Sequence, residues 1–598
     1  MNKYEQMQAF QHLEGLNEQQ KEAVLCHADI LYVSAGPGTG KSTMLVSKLI
    51  DYIESSHDPQ KIVAISFTNT AARQIGERFK TKVSELGVQK PFSFLNGTIH
   101  SFCFRMMKSY GSAMSRDFDY VILDDEELQE LGADIEEYFN GKYKSSQILS
   151  CLRASTFGNK SELSEQIQAL KEAYKVISMQ DILTNFVQQL QGDPSFQSWI
   201  RTQITVIAVD EAQDLSEMNY VILDQLLKVI PGLKILLVGD PRQNIFEFNG
   251  GSYKHLDNFL TKHRNHETRH LTITYRCCQA ISDYVNTFHF TDCDNEQLKS
   301  RYADAGKVIV KNAISEDDEA EQVLRSIREI QNLNSCAILC NNLKYLDPLF
   351  AKLQKERIPY KVFGGRRTVK KPIRFLNHIL RILDNDNAYS IRKVAQYANI
   401  DIIENGKHRK SKFFESDLGQ LILSIRETTE GMSFVAVMAQ VIAQIIHDPE
   451  DGEISEEYDK LLAIAGEYES ISDYLVSFAT DRERFAPFYE KGYQECLVPN
   501  EEIFLTISTI HSAKGLEWKH VFIMGLSEGN FPNPFFCQGL PPDQQREFYN
   551  GEWKKMYVAS TRAKETLFLT YSSHISRKGY TFRKDPSRFI PTSSNTAN

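Results

Sequence analysis

Lys41 and Ser42 close the stretch Ala35-Gly36-Pro37-Gly38-Thr39-Gly40-Lys41-Ser42, a spacing that suits the binding of nucleotide phosphates. The apolar run Ile30-Leu31-Tyr32-Val33 precedes it, and Leu45, Val46, Leu49, Ile50 and Ile53 follow at helical spacing. A strand that ends in a glycine-rich turn and opens a helix aims backbone N–H groups and the positive helix end at one point. Lys41 then reaches the β- and γ-phosphates, and the Ser42 hydroxyl holds Mg²⁺. Two further carboxylates have the types that hydrolysis needs. The run Thr205-Val206-Ile207-Ala208-Val209 delivers Asp210 and Glu211 side by side. Asp210 is placed to hold the metal, and Glu211 to orient and deprotonate an attacking water. Gln243, just after Ile235-Leu236-Leu237-Val238, can sense a γ-phosphate. Gln20 lies in a helix capped by Asn17, and its amide can both donate to and accept from an adenine edge.

These residues require strands that end together. Apolar runs of strand length at 30–33, 62–67, 205–209 and 235–238 alternate with helical patterns, which predicts a parallel sheet with ligands at its carboxyl edge. A second alternation begins near residue 307, with candidate strands at 308–310, 337–339, 360–363, 504–509, 521–524 and 567–569. Residues from about 103 to 200, and again from 386 to 500, read as helical insertions. Phe67, Phe246 and Phe248 sit near strand ends, where a ring serves either as a stacking surface for a base or as packing between domains.

Size and composition narrow the class. A chain of 598 residues exceeds a single core, and 42% apolar with 24% charged residues is typical of a globular protein. No apolar run reaches the length of a membrane span and the N-terminus lacks a signal-peptide core, so a cytoplasmic protein without a membrane partner is expected. Ten cysteines without paired spacing indicate neither a zinc site nor a disulfide framework. A net charge of -10 argues against coating nucleic acid through bulk positive charge, yet leaves room for a local groove.

Taken in order, the motifs are the glutamine segment ending at Gln20, AGPGTGKS, ISFTNTAA, GTIHSF, VDEAQD, VGDPRQNIFEFNGG, LTITYRC, STIHSAKGLEWKHVFIMGL with EGNFP, and MYVASTRAKETL. In this order they resemble the superfamily 1A DNA helicases of the UvrD, Rep and PcrA kind, along nearly the whole chain. The resemblance implies an α/β fold of two RecA-like parallel-sheet P-loop NTPase domains, each with a helical insertion. Residues 1–102 and 200–275 would form the first RecA-like domain, with 103–199 as its insertion. Residues 276–385 and 501–598 would form the second, with 386–500 as a shortened insertion.

The family's roles carry over where letters match. The phosphate loop, from Ala35, Gly36, Pro37, Gly38, Thr39 and Gly40 to Lys41, Ser42 and Thr43, would bind ATP with Mg²⁺. Gln20 and Tyr275 would contact the adenine, and Glu517 the ribose. Gln243, Arg276 and Arg562 would meet the γ-phosphate from the far side of the cleft. Phe67, Thr68, Asn69, His100, Phe248 and His511 would contact DNA. The implied substrate is single-stranded or tailed duplex DNA, traversed 3'→5' with DNA-stimulated ATP hydrolysis. Thr43 and Asn249 stand where these helicases often have arginines. An alternative from another class is an ATPase subunit that senses DNA ends or single strands and regulates a partner nuclease or effector, as in Gabija-type phage defence.

Overall fold

In the computed structural model, residues 11–591 are described except 56, 86–94, 115–119, 140, 154–160, 247–249, 303–305, 331, 365–367, 405–406, 447–451, 482–483, 491–502 and 578–579. Two six-stranded sheets organise the chain. The first holds β1 (Ile30–Ala35), β2 (Ile62–Ile65), β3 (Leu95–Gly97), β4 (Val206–Val209), β5 (Lys234–Gly239) and β6 (Glu267–Leu271), in the order β3-β2-β4-β5-β1-β6. Every pairing in it is parallel. β1, β2 and β4 are buried along their whole length, as expected for strands covered by helices on both faces.

The second sheet holds β7 (Lys307–Ala313), β8 (Cys336–Cys340), β9 (Tyr360–Phe363), β10 (Leu505–Thr509), β11 (Trp518–Ile523) and β12 (Ala563–Ser572), in the order β7-β12-β11-β8-β10-β9. It too is parallel throughout. Parallel strands end at a common edge, so the turns after β1, β2, β4 and β5 share one rim, and those after β8, β10 and β11 share another. Two RecA-like sheets of this kind are the scaffold that the motifs imply.

The hydrophobic clusters divide the chain differently from the sequence expectation. Phe102, Met107, Ile182, Phe186 and Phe196 share one core with Ile30 and Val63, so much of the first helical insertion completes the first sheet's own packing. Among the described residues, those between Val121 and Val176 gather a further core, which Tyr389 of the second insertion joins. The second insertion's core begins at Val369 and includes the helix Lys371–Asn385, which packs against Ala388–Tyr397 and Ile471–Thr480. Its packing therefore starts well before residue 386, because Ile373, Leu376, Ile379 and Leu380 turn their apolar stripe away from the second sheet.

Both insertions meet across a buried ionic seam. The Glu127 carboxylate accepts from Arg381 and lies 3.8 Å from Arg374, while Arg374 also pairs with Asp124 and Glu126. Lys393 bonds Glu130 and Asp134 at 3.2 and 3.3 Å. Glu127, Arg374 and Arg381 are each at most 7% exposed, so removing one partner leaves an uncompensated charge. Glu127→Ala should therefore cost about 3 to 5 kcal/mol, read as a lower denaturation midpoint. An unchanged midpoint would show that this seam does not bind the insertions together.

Candidate active site and nucleic-acid interface

Gly38 and Gly40 adopt φ of 69° and 80°, which turns the chain sharply between β1 and the helix Lys41–Glu54. Gly40 caps that helix with no side chain, so its first N–H groups keep no side-chain acceptor and point outward. That is a ready anion cradle. A Cβ at Gly38 would collide with Arg276 and Thr274, and one at Gly40 with the Gln20 amide. The loop is braced from several sides: Thr39 Oγ1 donates to Gly36 O at 2.8 Å, and Thr274 Oγ1 to Pro37 O at 2.8 Å. Tyr275 N–H donates to Gly38 O at 2.8 Å.

Gln20 is placed as a brace. Its Nε2 donates to Thr39 O at 2.9 Å, and its Oε1 accepts from Asn17 N–H at 3.0 Å, completing a capping box. Both ends of the amide are thus engaged within the protein. Tyr275 stands beside it, 38% exposed, and its hydroxyl accepts from Asn17 Nδ2 at 2.9 Å. Glu517 pairs with Arg276 at 2.6 Å and with Lys564 at 2.6 Å.

At the end of β4, Asp210 and Glu211 face the loop. Glu211 holds φ 54°, ψ 42°, a left-handed conformation that a non-glycine residue keeps only when its surroundings enforce it. Lys41 Nζ lies 3.8 Å from Glu211 Oε1. Burial raises Asp210, with Glu211 adding to the effect; burial also opposes ionisation of Glu211, but Lys41 and then Lys514 overcome it and hold that carboxylate down. The two neighbours are thereby pushed apart, with Glu211 the more acidic of the pair.

The second sheet contributes the other wall. Arg562, 2% exposed, donates through Nη2 to Gln243 Oε1 at 3.2 Å and through Nε to Val558 O at 2.9 Å. Burial, with Arg276 beside it, pushes its guanidinium down to about 9, which still leaves it charged at neutral pH. Arg276 reaches Thr561 O at 3.3 Å. Lys41, Glu211, Gln243, Arg276 and Arg562 are therefore gathered into one cleft between the sheets. Lys514 joins them: it lies 3.6 Å from Glu211 Oε2, bonds Asp214, and donates to Gln243 O at 2.8 Å. Burial pushes Asp214 up to about 7. Lys514 belongs to the motif HSAKGLEW, yet nothing in its spacing distinguishes a cleft lysine from a surface one.

A second rim lies at the strand ends beyond the cleft. Phe67 stacks on Phe246 with centroids 4.6 Å apart and planes 24° apart. Phe246 in turn has His511 at 6.2 Å and the Lys514 ammonium 5.1 Å from its centroid. Phe246 is thus the aromatic that joins the Phe67 side, while Phe248 falls outside the described residues. Thr68 Oγ1 accepts from Ala71 N–H at 3.2 Å, and Asn69 Nδ2 donates to Thr480 O in the second insertion at 3.0 Å. Burial pushes the His100 imidazole down to about 4; burial and Lys555 do the same to His511. Both rings are neutral near pH 7 and act as aromatic or hydrogen-bonding groups rather than cations.

The chain is similar to known proteins along most of its length. The family described as UvrD/REP helicase N-terminal domain matches residues 16–154 and 135–264. The UvrD-like helicase C-terminal domain matches residues 269–409 and 420–574. The ATP-dependent DNA helicase PcrA of Staphylococcus aureus is 25% identical over 651 aligned positions, spanning 97% of this chain and 86% of its own length. That of Staphylococcus epidermidis is 25% identical over 648, with the same coverage. Among the described residues no helix is long and apolar enough to cross a membrane. With the N-terminal match on the first sheet and the C-terminal match on the second, the chain belongs to the UvrD/Rep family of ATP-hydrolysing DNA helicases.

Proposed function

We propose that this protein moves 3'→5' along single-stranded DNA, hydrolysing ATP in the cleft between its two sheets and separating duplex ahead of it. The observation that supports this most is the convergence of Lys41 and Glu211 from one sheet with Arg562 from the other, where Arg562 donates to Gln243 and Lys514 reaches both Gln243 and Glu211. Residues that meet only across two bodies make hydrolysis sensitive to their closure, which is how a nucleotide cycle becomes movement. In the chemical step the oxygen of a water attacks the γ-phosphorus. The bond to the β,γ-bridging oxygen breaks with its electrons on ADP, and the water's proton passes to Glu211. Lys41, Arg276 and Arg562 stabilise charge spread over the phosphate oxygens.

Mg²⁺ fits the donors. Ser42 supplies a hydroxyl on the first helical turn, and Asp210 a buried carboxylate whose Oδ1 accepts from the Glu211 N–H at 3.0 Å. When bound, the ion would neutralise charge on the β- and γ-phosphates.

DNA would run over Phe67, Phe246 and His511, with Thr68, Asn69, His100 and Phe248 as further contacts. Stacking accepts any base and needs little net positive charge, which reconciles a DNA partner with an acidic chain. Phe246→Ala should weaken single-strand binding by about 1 to 3 kcal/mol, roughly 5- to 150-fold, in a fluorescence titration. Unaltered affinity would make that ring mere packing. The test of the whole proposal is strand displacement on 3'-tailed and 5'-tailed duplexes with ATP. Unwinding of the 3'-tailed substrate supports it; preference for the 5' tail refutes the direction.

One observation favours the second reading, a single-strand or DNA-end sensor whose ATP cycle governs a partner nuclease or effector. Asn69 is already held by Thr480, while Arg73 lies 3.9 Å from Asp481 and Lys108 bonds Asp473 at 3.2 Å, so DNA that takes the Asn69 amide competes with the second insertion for it. Strong DNA-stimulated hydrolysis without displacement of either duplex would select this reading.

A further inference from the structure

The Gln213 side chain joins the two strand ends that carry the hydrolytic residues. It lies in the turn Ala212–Asp214 directly after Glu211 and is fully buried. Its Nε2 faces Glu211 Oε2 at 2.5 Å and Asp214 Oδ2 at 3.4 Å, and its Oε1 accepts from Asp240 N–H at 3.0 Å. The reverse orientation would set an oxygen against two carboxylates and an NH₂ against an N–H, so the network admits one amide orientation. Gly239 leaves the space: a Cβ there would strike Gln213 Oε1. The Gln213 carbonyl is held as well, accepting from Asn244 Nδ2.

This arrangement makes the two oxygens of Glu211 unequal. Oε2 takes the Gln213 amide, with Lys514 at 3.6 Å, whereas Oε1 is left 3.8 Å from Lys41 on the phosphate side. We propose that Gln213 is a positioning residue for water activation: it pins Glu211 Oε2 so that Oε1 receives the proton of the attacking water. It does so from a fixed point, because its own oxygen is anchored on Asp240, three residues before the γ-phosphate candidate Gln243. A charge-assisted hydrogen bond from a fully packed amide holds the carboxylate, which would otherwise sample several rotamers. The inference rests on the assignment of Glu211 as the base.

Two variants test it. Gln213→Met keeps the volume and removes both hydrogen bonds; Gln213→Glu keeps an acceptor for Asp240 N–H and replaces the donor with a carboxylate facing Glu211. Both should lower the kcat of ATP hydrolysis about 10²-fold, the effect of misplacing a reacting group by about 1 Å, while KM for ATP and affinity for ADP change less than about threefold. Retained ADP affinity and an unchanged melting temperature separate this from a loss of fold. If the Met variant does not fold, the Glu variant decides. A kcat within about twofold of the parent in the folded variants overturns the proposal. So does a loss with Met that Glu restores, since the Asp240 bond alone would then matter. Turnover that survives Glu211→Gln would instead remove the base assignment itself; a dead Glu211→Gln beside a normal Gln213→Met removes only this inference.

Discussion

Arg562→Ala is expected to lower ATPase kcat about 10³- to 10⁵-fold, with ATP affinity little changed. The guanidinium is buried and held by Val558 O, Leu516 O and Gln243 Oε1, so it is aimed before any nucleotide arrives. Preorganised charge of this kind acts most strongly where phosphate oxygens gain charge in the transition state. It comes from the end of the helix Pro542–Ser560 on the second sheet, whereas Lys41 and Glu211 come from the first. Arg562→Lys should recover little, because an ammonium cannot reproduce the planar fork that reaches three acceptors at once. Steady-state hydrolysis with and without DNA, alongside fluorescent-nucleotide binding, gives the answer. A fall of less than about tenfold in kcat would mean that Arg562 is a structural tie between the sheets.

Glu211→Gln should reduce kcat about 10²- to 10⁴-fold, again with nucleotide binding retained. The amide has nearly the shape of the carboxylate, so the left-handed backbone at φ 54° and the turn after it are kept. What is lost is the acceptor for the water's proton, and with it the anion that Lys41 and Lys514 hold ionised. Hydrolysis near the parent rate would move the base elsewhere in the cleft. Single-turnover measurements would show whether the fall lies in the chemical step or in product release.

Several residues gain meaning only from their placement. Asp214 and Gln213 read in sequence as the end of an acidic turn; in the fold one is tied to Lys514 and the other bridges Glu211 to Asp240. Lys514 is 300 residues from Asp214, and no periodicity links the two. Gln20 shows the opposite shift. Its amide suits an adenine by chemistry, but here it completes a capping box and braces Thr39. The helix Lys371–Asn385 follows β9 of the second sheet in the chain, so sequence order assigned it to that domain, while its apolar stripe packs into the insertion. Local patterns report which face is apolar; they do not report what covers it.

The amino-acid sequence alone determined the strand-to-turn chemistry of this protein. AGPGTGKS makes a phosphate cradle because glycines permit positive φ and a helix start exposes N–H donors. VDEAQD places two carboxylates after a buried strand for an equally local reason, and the ordered motifs specify two parallel sheets. Tertiary structure decided how those pieces face one another. That Arg562 meets Gln243, that Phe67 stacks on Phe246, and that Thr480 holds Asn69 are contacts between segments far apart in the chain. Their geometry follows from how two cores and two insertions pack, and such long-range packing leaves no periodic trace in the sequence.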